Sequence, residues 1–401
     1  MTDSPADGDA ADSAAALSPD ELYEKLRDGE RVTILDVRNR DEFEEWRIAG
    51  EGVEATQVPY SRFVQAQAKG TVGDLAAEHD LEPPVLAVCG QGEASAEVAH
   101  LLSDAGVEAL NLEGGMEGWA RVYVASELNA PETDATVLQY RRPSSGCLAY
   151  LIVSDGEAAV VDPLRAFAER YVEDARERGA ELRFAVDTHV HADHVSGLRD
   201  VAAAARTSGT DPEMVAPAGA ESRGLALDVR TVEDGDELPV GDATLTAVHA
   251  PGHTTEMTAF RLGGVLFAGD LLFLESVARP DLEEGAEGAP AAARRLYETL
   301  RERILPLPDD TVVAPGHYSD AASTAPDGTY TATLGELRDR LDALSMDEAA
   351  FVGFVLSDMP PRPANYEEIV EINLGRREAD DAEAFELELG PNNCAATSAA
   401  D

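Results

Sequence analysis

Basic residues are scarce in this chain. Lysine occurs only at Lys25 and Lys69, and Lys and Arg together number 31 against 78 Asp and Glu, a formal net charge of -47 over 401 residues. With no basic patch to meet phosphates, nucleic acid is excluded as a partner. Long hydrophobic runs are also missing: no stretch approaches the 18 apolar residues of a membrane span. The opening "MTDSPADGDAADSAAALSPDE" has neither a basic nor an apolar leader region, so a cytoplasmic, membrane-free protein is expected. Cysteine is limited to Cys89, Cys147 and Cys394, far apart and without a CxxC pair, which excludes a disulfide framework or a zinc ribbon.

Such an acidic, lysine-poor composition resembles that of proteins from salt-loving organisms. Charge of this density repels itself in dilute buffer and is screened at about 1 M salt, where the Debye length is about 3 Å. An acidic disordered chain is excluded because hydrophobic residues make up 44% of the sequence and recur as short apolar strands.

The organisation is that of two folded parts. Residues 1–17 read as a disordered acidic tail. Ser18, Pro19 and Glu21 then form a helix start with a capping box, and residues 18–128 alternate strands such as "VTILDV" and "PVLAV" with helical runs such as "EASAEVAHLLSDAG". This is the pattern of an α/β domain with a parallel sheet. After a linker at 129–135, residues 136–375 mix strands and helices in α/β and α+β fashion, with Gly, Asp or His at successive strand ends. Thr333 with Glu336 and Ser345 with Glu348 read as later helix starts, and 376–401 as a C-terminal tail.

The chemistry concentrates in "THVHADHVSGL", Thr188 to Leu198. His189 and His191 are two apart and share a side of an extended segment, while Asp193 and His194 follow where the chain turns into a helix. Imidazole and carboxylate without a nearby thiolate suit zinc, iron or manganese. His253, Asp270 and His317 end later apolar runs beside glycines, which permit close backbone approach. His249 reads as structural or supporting, His79 and His100 carry no comparable signal, and Cys147, in "CLAYLI", reads as a small buried hydrophobe.

These residues resemble the metallo-β-lactamase fold superfamily, whose HxHxDH signature is met by His189, His191, Asp193 and His194 and whose remaining metal positions match His253, Asp270 and His317. The resemblance spans about residues 136 to 320 and implies an αββα sandwich with the site along one edge of the paired sheets. Two kinds of thiol chemistry within it remain open. Similarity to persulfide dioxygenases, carried by "THVHADH", "GDLLFLESVARPDLE", "MPPRPANYEEIVEINLG", "GPNNCAA" and the short interval from His253 to Asp270, implies one Fe(II) per chain on His189, His253 and Asp270. Such an enzyme oxidises a small thiol persulfide with dioxygen to sulfite and thiol. His191, Asp193, His194 and His317 then support the ligands, and Arg279 orients that support or meets an anionic substrate. Similarity to glyoxalase II implies instead two Zn(II) on all seven groups and hydrolysis of a thioester.

In the first part, "VTILDVRNRDEFEEWRIAG" and "NLEGGMEGW" resemble the framing motifs of a rhodanese domain, with "VCGQGEAS" as its sulfur-carrying loop. This makes Cys89 the persulfide carrier and Asp36 and Arg38 scaffold. Ala94 stands where such loops carry an arginine, with Glu93 beside it, and Trp46-Arg47 replaces a usual glycine-histidine pair. The implied roles are acceptance of sulfane sulfur for a small thiol, or formation of thiosulfate from sulfite. A homo-oligomer and a role for Cys394 are left open.

Overall fold

The computed structural model describes residues 15–319, 321–357 and 359–390. The chain divides into two compact units between Val122 and Tyr123. In the first, a parallel sheet runs in the spatial order Ala16–Leu17, Ala109–Leu112, Val85–Val88, Val32–Asp36, Val53–Gln57. Val85–Val88 is buried at every residue, as a strand covered on both faces must be. Phe63, Leu75, Val98 and Leu102 of the flanking helices join Val85, Ala87 and Cys89 in one core. The helix Pro19–Arg27 begins with the expected capping box between Ser18 and Glu21. The expected disordered start is corrected at its end: Ala16 and Leu17 pair with Asn111 and Leu112 at an open sheet edge.

The second unit takes in more chain than expected. Val124–Leu128, assigned by sequence to the first domain, pairs antiparallel with Thr136–Arg142, so residues 129–135 form the turn of a hairpin rather than a link between domains. These two strands close a seven-stranded sheet of order Arg230–Val232, Glu213–Pro217, Glu181–Val186, Glu157–Val161, Cys147–Ser154, Thr136–Arg142, Val124–Leu128. A second sheet of six strands runs Glu237–Val240, Ala243–His249, Thr258–Leu262, Val265–Gly269, Val312–Pro315, Ala332–Thr333. Tyr150, Ile152, Phe184 and Val186 of one sheet pack on Leu245, Phe260 and Phe267 of the other. Each such side chain contributes about 1.5–3 kcal/mol on burial. Helices Ala168–Glu177 and Leu198–Thr207 cover the outside of the first sheet, and Gly285–Thr299 and Glu348–Ser357 that of the second. The result is the expected αββα sandwich.

Thr333 caps the helix Leu334–Arg340 as expected. Ser345 does not begin the next helix: its hydroxyl bonds Asp342 O, and Asp347 Oδ1 accepts from Ala350 N instead, at 2.9 Å. Nor is the chain after residue 375 a loose tail throughout. Asp381–Leu387 is a helix, and Glu388, 6% exposed, accepts from Arg142 at 2.7 Å and from Val195 N at 3.0 Å. Its binding to Val195 ties it to the residue next to His194. Cys394 lies outside the described residues. No helix among the described residues is long and apolar enough to cross a membrane.

Candidate metal centre

The histidine-rich segment lies between the strand Glu181–Val186 and the helix Leu198–Thr207. His253 lies in the loop after Ala243–His249, Asp270 follows Val265–Gly269, and His317 stands just past Val312–Pro315. All these strands end at one edge of the sandwich and bring the seven groups into a buried cluster. Glycine is required for that approach: a Cβ on Gly316 would sit 2.5 Å from Asp270 Oδ1, and one on Gly269, at φ +48°, 2.5 Å from Thr188 Oγ1.

The cluster resolves into three groups, within each of which the candidate ligand atoms lie within 4.8 Å of one another. The first is His189, His253 and Asp270. Thr188 Oγ1 donates to Asp162 Oδ2 at 3.0 Å and therefore accepts from His189 Nδ1, also at 3.0 Å. His253 Nδ1 donates to Arg279 O at 2.9 Å. Both tautomers are thereby fixed, each leaving an Nε2 lone pair. Both Nε2 atoms lie 3.7 Å from Asp270 Oδ2, and all three atoms are buried without a hydrogen-bond partner. Burial holds His189 and His253 below the usual imidazole range, as the neutral, coordinating form. Two neutral imidazoles and one carboxylate oxygen converging this way fit a divalent metal with open positions.

The second group is tied up internally. His317 Nδ1 donates to Asp270 Oδ1 at 2.7 Å and its Nε2 to Asp193 Oδ2 at 2.8 Å, while His194 Nδ1 reaches the same Asp193 oxygen at 3.0 Å. Burial opposes charge on His317, but Asp270 and Asp193 outweigh it and hold the imidazole well above its usual range. Burial likewise opposes charge on His194, and Asp193 overrides it. Cys147 belongs here too, its Sγ 3.5 Å from Asp193 Oδ2. The sequence reading of Cys147 as a buried hydrophobe is right about burial, at 1% exposed, and wrong about surroundings.

His191 turns elsewhere. Its Nε2 lies 3.2 Å from Asp162 Oδ1 and 3.8 Å from Asp187 Oδ1, so the two histidines two apart do not aim their outer nitrogens at one point. The segment they occupy is a loop rather than the extended stretch expected. Burial pushes Asp187 up to about 6. Asp162, at φ +51°, also accepts from Thr188 N at 2.7 Å. Sequence reasoning missed this residue; its one signal was an acid ending the apolar strand "AAVV".

Asn373 was missed as well. Its amide donates to His191 O at 3.0 Å and His194 O at 2.8 Å, and its oxygen accepts from Ser196 N at 2.8 Å. This one side chain ties three backbone groups of the loop, beside Asp162 at Thr188 N, Glu256 at Val190 N and Glu388 at Val195 N. Arg279, 1% exposed, directs its guanidinium to Asp281, Pro360 O and Pro361 O. Its contact with His253 is made by the backbone carbonyl and not by the guanidinium for which a role was expected. His249 bonds Thr255 O and joins none of the three groups.

In the first unit Cys89 directly follows Val85–Val88. Its Sγ accepts from Gly92 N at 3.1 Å and Ser95 Oγ at 3.1 Å, at the N-terminus of the helix Glu93–Asp104. Asp36 and Arg38 make a forked ion pair whose Arg38 also donates to Trp46 O, as scaffold residues would. Cys89, Gly90, Gln91, Glu93, Ala94 and Glu117 line an open cleft of ≈ 380 Å³.

Residues 143–317 match the model of the Metallo-beta-lactamase superfamily, and residues 18–122 that of the Rhodanese-like domain. The human mitochondrial persulfide dioxygenase ETHE1 is 27% identical over 248 residues, covering 59% of this chain and 86% of that protein. A hydroxyacylglutathione hydrolase of Methylococcus capsulatus is 35% identical over 210 residues, covering 51% of this chain and 75% of that protein. Among solved structures, a metallo-β-lactamase from Staphylococcus aureus aligns with a TM-score of 0.55 at 27% identity, covering 62% of this chain and 75% of that one.

Proposed function

Because this chain belongs to the metallo-β-lactamase superfamily and carries a rhodanese-like domain ahead of it, we propose that it is an iron-dependent persulfide dioxygenase coupled to sulfane-sulfur transfer. The reaction takes a small thiol persulfide, dioxygen and water to thiol and sulfite. Both atoms of dioxygen and the oxygen of water end on the terminal sulfur, whose oxidation fully reduces dioxygen. The observation that carries this reading is the division of the cluster. His189 Nε2, His253 Nε2 and Asp270 Oδ2 converge with no other partner, whereas His317 is engaged on both sides by Asp270 and Asp193.

His189, His253 and Asp270 would hold one Fe(II). Bound there, iron supplies the one-electron chemistry that dioxygen requires. Thr188 and the Arg279 carbonyl keep the two imidazoles in their coordinating tautomers. His317 fixes Asp270 by its Oδ1, leaving Oδ2 for the metal. His317 and His194, both bonded to Asp193, stand ready to hold protons beside the reacting centre. Burial of the whole cluster excludes bulk water from it. In the first domain, Cys89 would carry sulfur as a persulfide between donor and acceptor thiols.

A dinuclear zinc thioester hydrolase is the second reading. It is favoured by His191 Nδ1 and His194 Nε2, which are also buried without partners, and by the similarity to a hydroxyacylglutathione hydrolase. Anaerobic purification in molar salt with metal analysis, followed by oxygen uptake on addition of a thiol persulfide, decides between them. One iron with oxygen consumption is expected; two zincs with acyl-thiol hydrolysis overturns the proposal.

A further inference from the structure

The cleft at Cys89 has a charge that its sulfur chemistry must accommodate. Of its six lining residues two are carboxylates, Glu93 and Glu117, and none is cationic. Ala94 offers no charge toward a bound anion, and the side-chain amide of Gln91 donates to Glu117 Oε1 at 2.7 Å instead of into the cleft. The donors that do face Sγ, Gly92 N and Ser95 Oγ, are already engaged with it. They serve the sulfur of Cys89, and the lining side chains offer an incoming oxoanion no cation to pair with. Such an ion would lose part of its hydration at a mouth flanked by like charge.

We propose that this cleft admits neutral or amine-bearing thiol species and turns away oxoanions such as thiosulfate and sulfite, so that the Cys89 loop exchanges sulfur between thiols. The inference rests on the proposal that Cys89 carries sulfur, and it chooses between the two directions left open for that domain. In the step itself, the Cys89 thiolate attacks the terminal sulfur of a persulfide R–S–SH. A Cys89 S–S bond forms as the donor S–S bond breaks, and the donor leaves as R–S⁻ with the electron pair. The terminal proton stays with the transferred sulfur. No external oxidant or reductant is needed, because the sulfane sulfur keeps its oxidation level. The reverse step loads an acceptor thiol. An amine on the donor would lie near Glu93 and Glu117, adding an attraction that thiosulfate lacks.

The test uses the full-length protein at the lowest salt that preserves its fold, since screening at molar salt blunts any such discrimination. Alkylation of Cys89 is followed on its own peptide by mass spectrometry with iodoacetamide, which is neutral, and iodoacetate, which is anionic. Cys89 is expected to favour iodoacetamide over iodoacetate more strongly than free cysteine does under the same conditions. The Glu93→Gln/Glu117→Gln variant should lose that excess, on the order of threefold per carboxylate for like charges a few ångströms apart in water. A control, Glu82→Gln/Glu108→Gln, makes the same change in net charge at exposed positions outside the cleft and should keep the excess. In parallel, persulfide formation on Cys89 should be faster from cysteamine persulfide than from thiosulfate. A wild-type alkylation ratio equal to that of free cysteine, or an excess that survives in the cleft variant, overturns the inference. Ready loading from thiosulfate also overturns it while leaving Cys89 as a carrier. Discrimination without sulfur uptake from either donor supports the charge filter and removes the carrier role instead.

Discussion

The two candidate centres of this chain are built on opposite plans. In the second domain, seven titratable groups from several strand ends are almost fully buried, and each of the three proposed ligands is fixed through its other polar atom. In the first domain one thiol stands at a strand end, held by a backbone amide and a hydroxyl, beside an open cleft with carboxylates at its mouth. The first plan gives a metal a rigid, dry set of lone pairs. The second sets a nucleophile, itself only 7% exposed, in the wall of an open cleft whose other side chains decide what reaches it. A buried centre should therefore answer to loss of its own groups, and an open one to charge in its surroundings.

The largest effect is expected at the converging triad. Asp270→Ala or His253→Ala should reduce bound iron to background and abolish oxygen uptake together, with circular dichroism confirming the fold. Loss of two metal equivalents in these variants and in His194→Ala alike would erase the division of the cluster and favour the dinuclear hydrolase. In the one-iron reading, His194→Ala keeps close to one equivalent of metal while oxygen uptake falls roughly ten- to a hundredfold, the usual range for groups that orient ligands or protons.

Asn373→Ala is expected to act on the loop rather than on any ligand. It removes three buried hydrogen bonds to the segment that carries His189 through His194. A loss of order 3 kcal/mol in stability is expected from the backbone groups left unpaired. Weaker iron retention should accompany it, measured by chelator challenge. Unchanged stability would mean that the loop holds itself.

The contrast between the plans also explains what could be read from sequence. Metal-binding side chains are chemically distinctive, so HxHxDH and the later His253, Asp270 and His317 were visible together with the sandwich they imply. Their partition was not visible. Whether His191 faces Asp162 or the triad depends on the turn of a loop, and Cys147 in an apolar strand gave no sign that its sulfur meets Asp193. Asn373 lies some 180 residues from the backbone it holds, as its contacts with His191 and His194 record. The domain boundary was misplaced for a similar reason: a strand such as Val124–Leu128 does not announce which sheet it will join. Turn chemistry was more legible, except where Asp347 competed with Ser345 for one helix end.

Salt should separate the two plans by a smaller margin. With a formal net charge of -47, the chain repels itself in dilute buffer, so raising salt from about 0.1 to about 3 M should raise the thermal unfolding midpoint by relieving repulsion. Preference of Cys89 for neutral over anionic reagents should shrink over the same range, whereas iron bound in the buried triad should stay in place wherever the fold persists. A midpoint indifferent to salt would remove the repulsion argument.

The smallest expected effect is the most discriminating between the domains. Cys89→Ser leaves hydrogen-bonding partners for its side chain in Gly92 N and Ser95 Oγ, so the loop keeps its shape. None of the three proposed iron ligands is a cysteine, and a persulfide supplied as a small molecule can enter the second domain directly. Iron content and oxygen uptake on such a substrate should therefore match the wild type within error. Sulfur exchange between thiols should be lost on the same preparation, because serine cannot carry persulfide sulfur. Retained exchange would show that Cys89 is not the carrier. A fall in oxygen uptake on free persulfide would mean instead that the oxidation depends on sulfur delivered through the first domain, and the two centres would then have to be treated as one reaction path rather than as two sites of independent design.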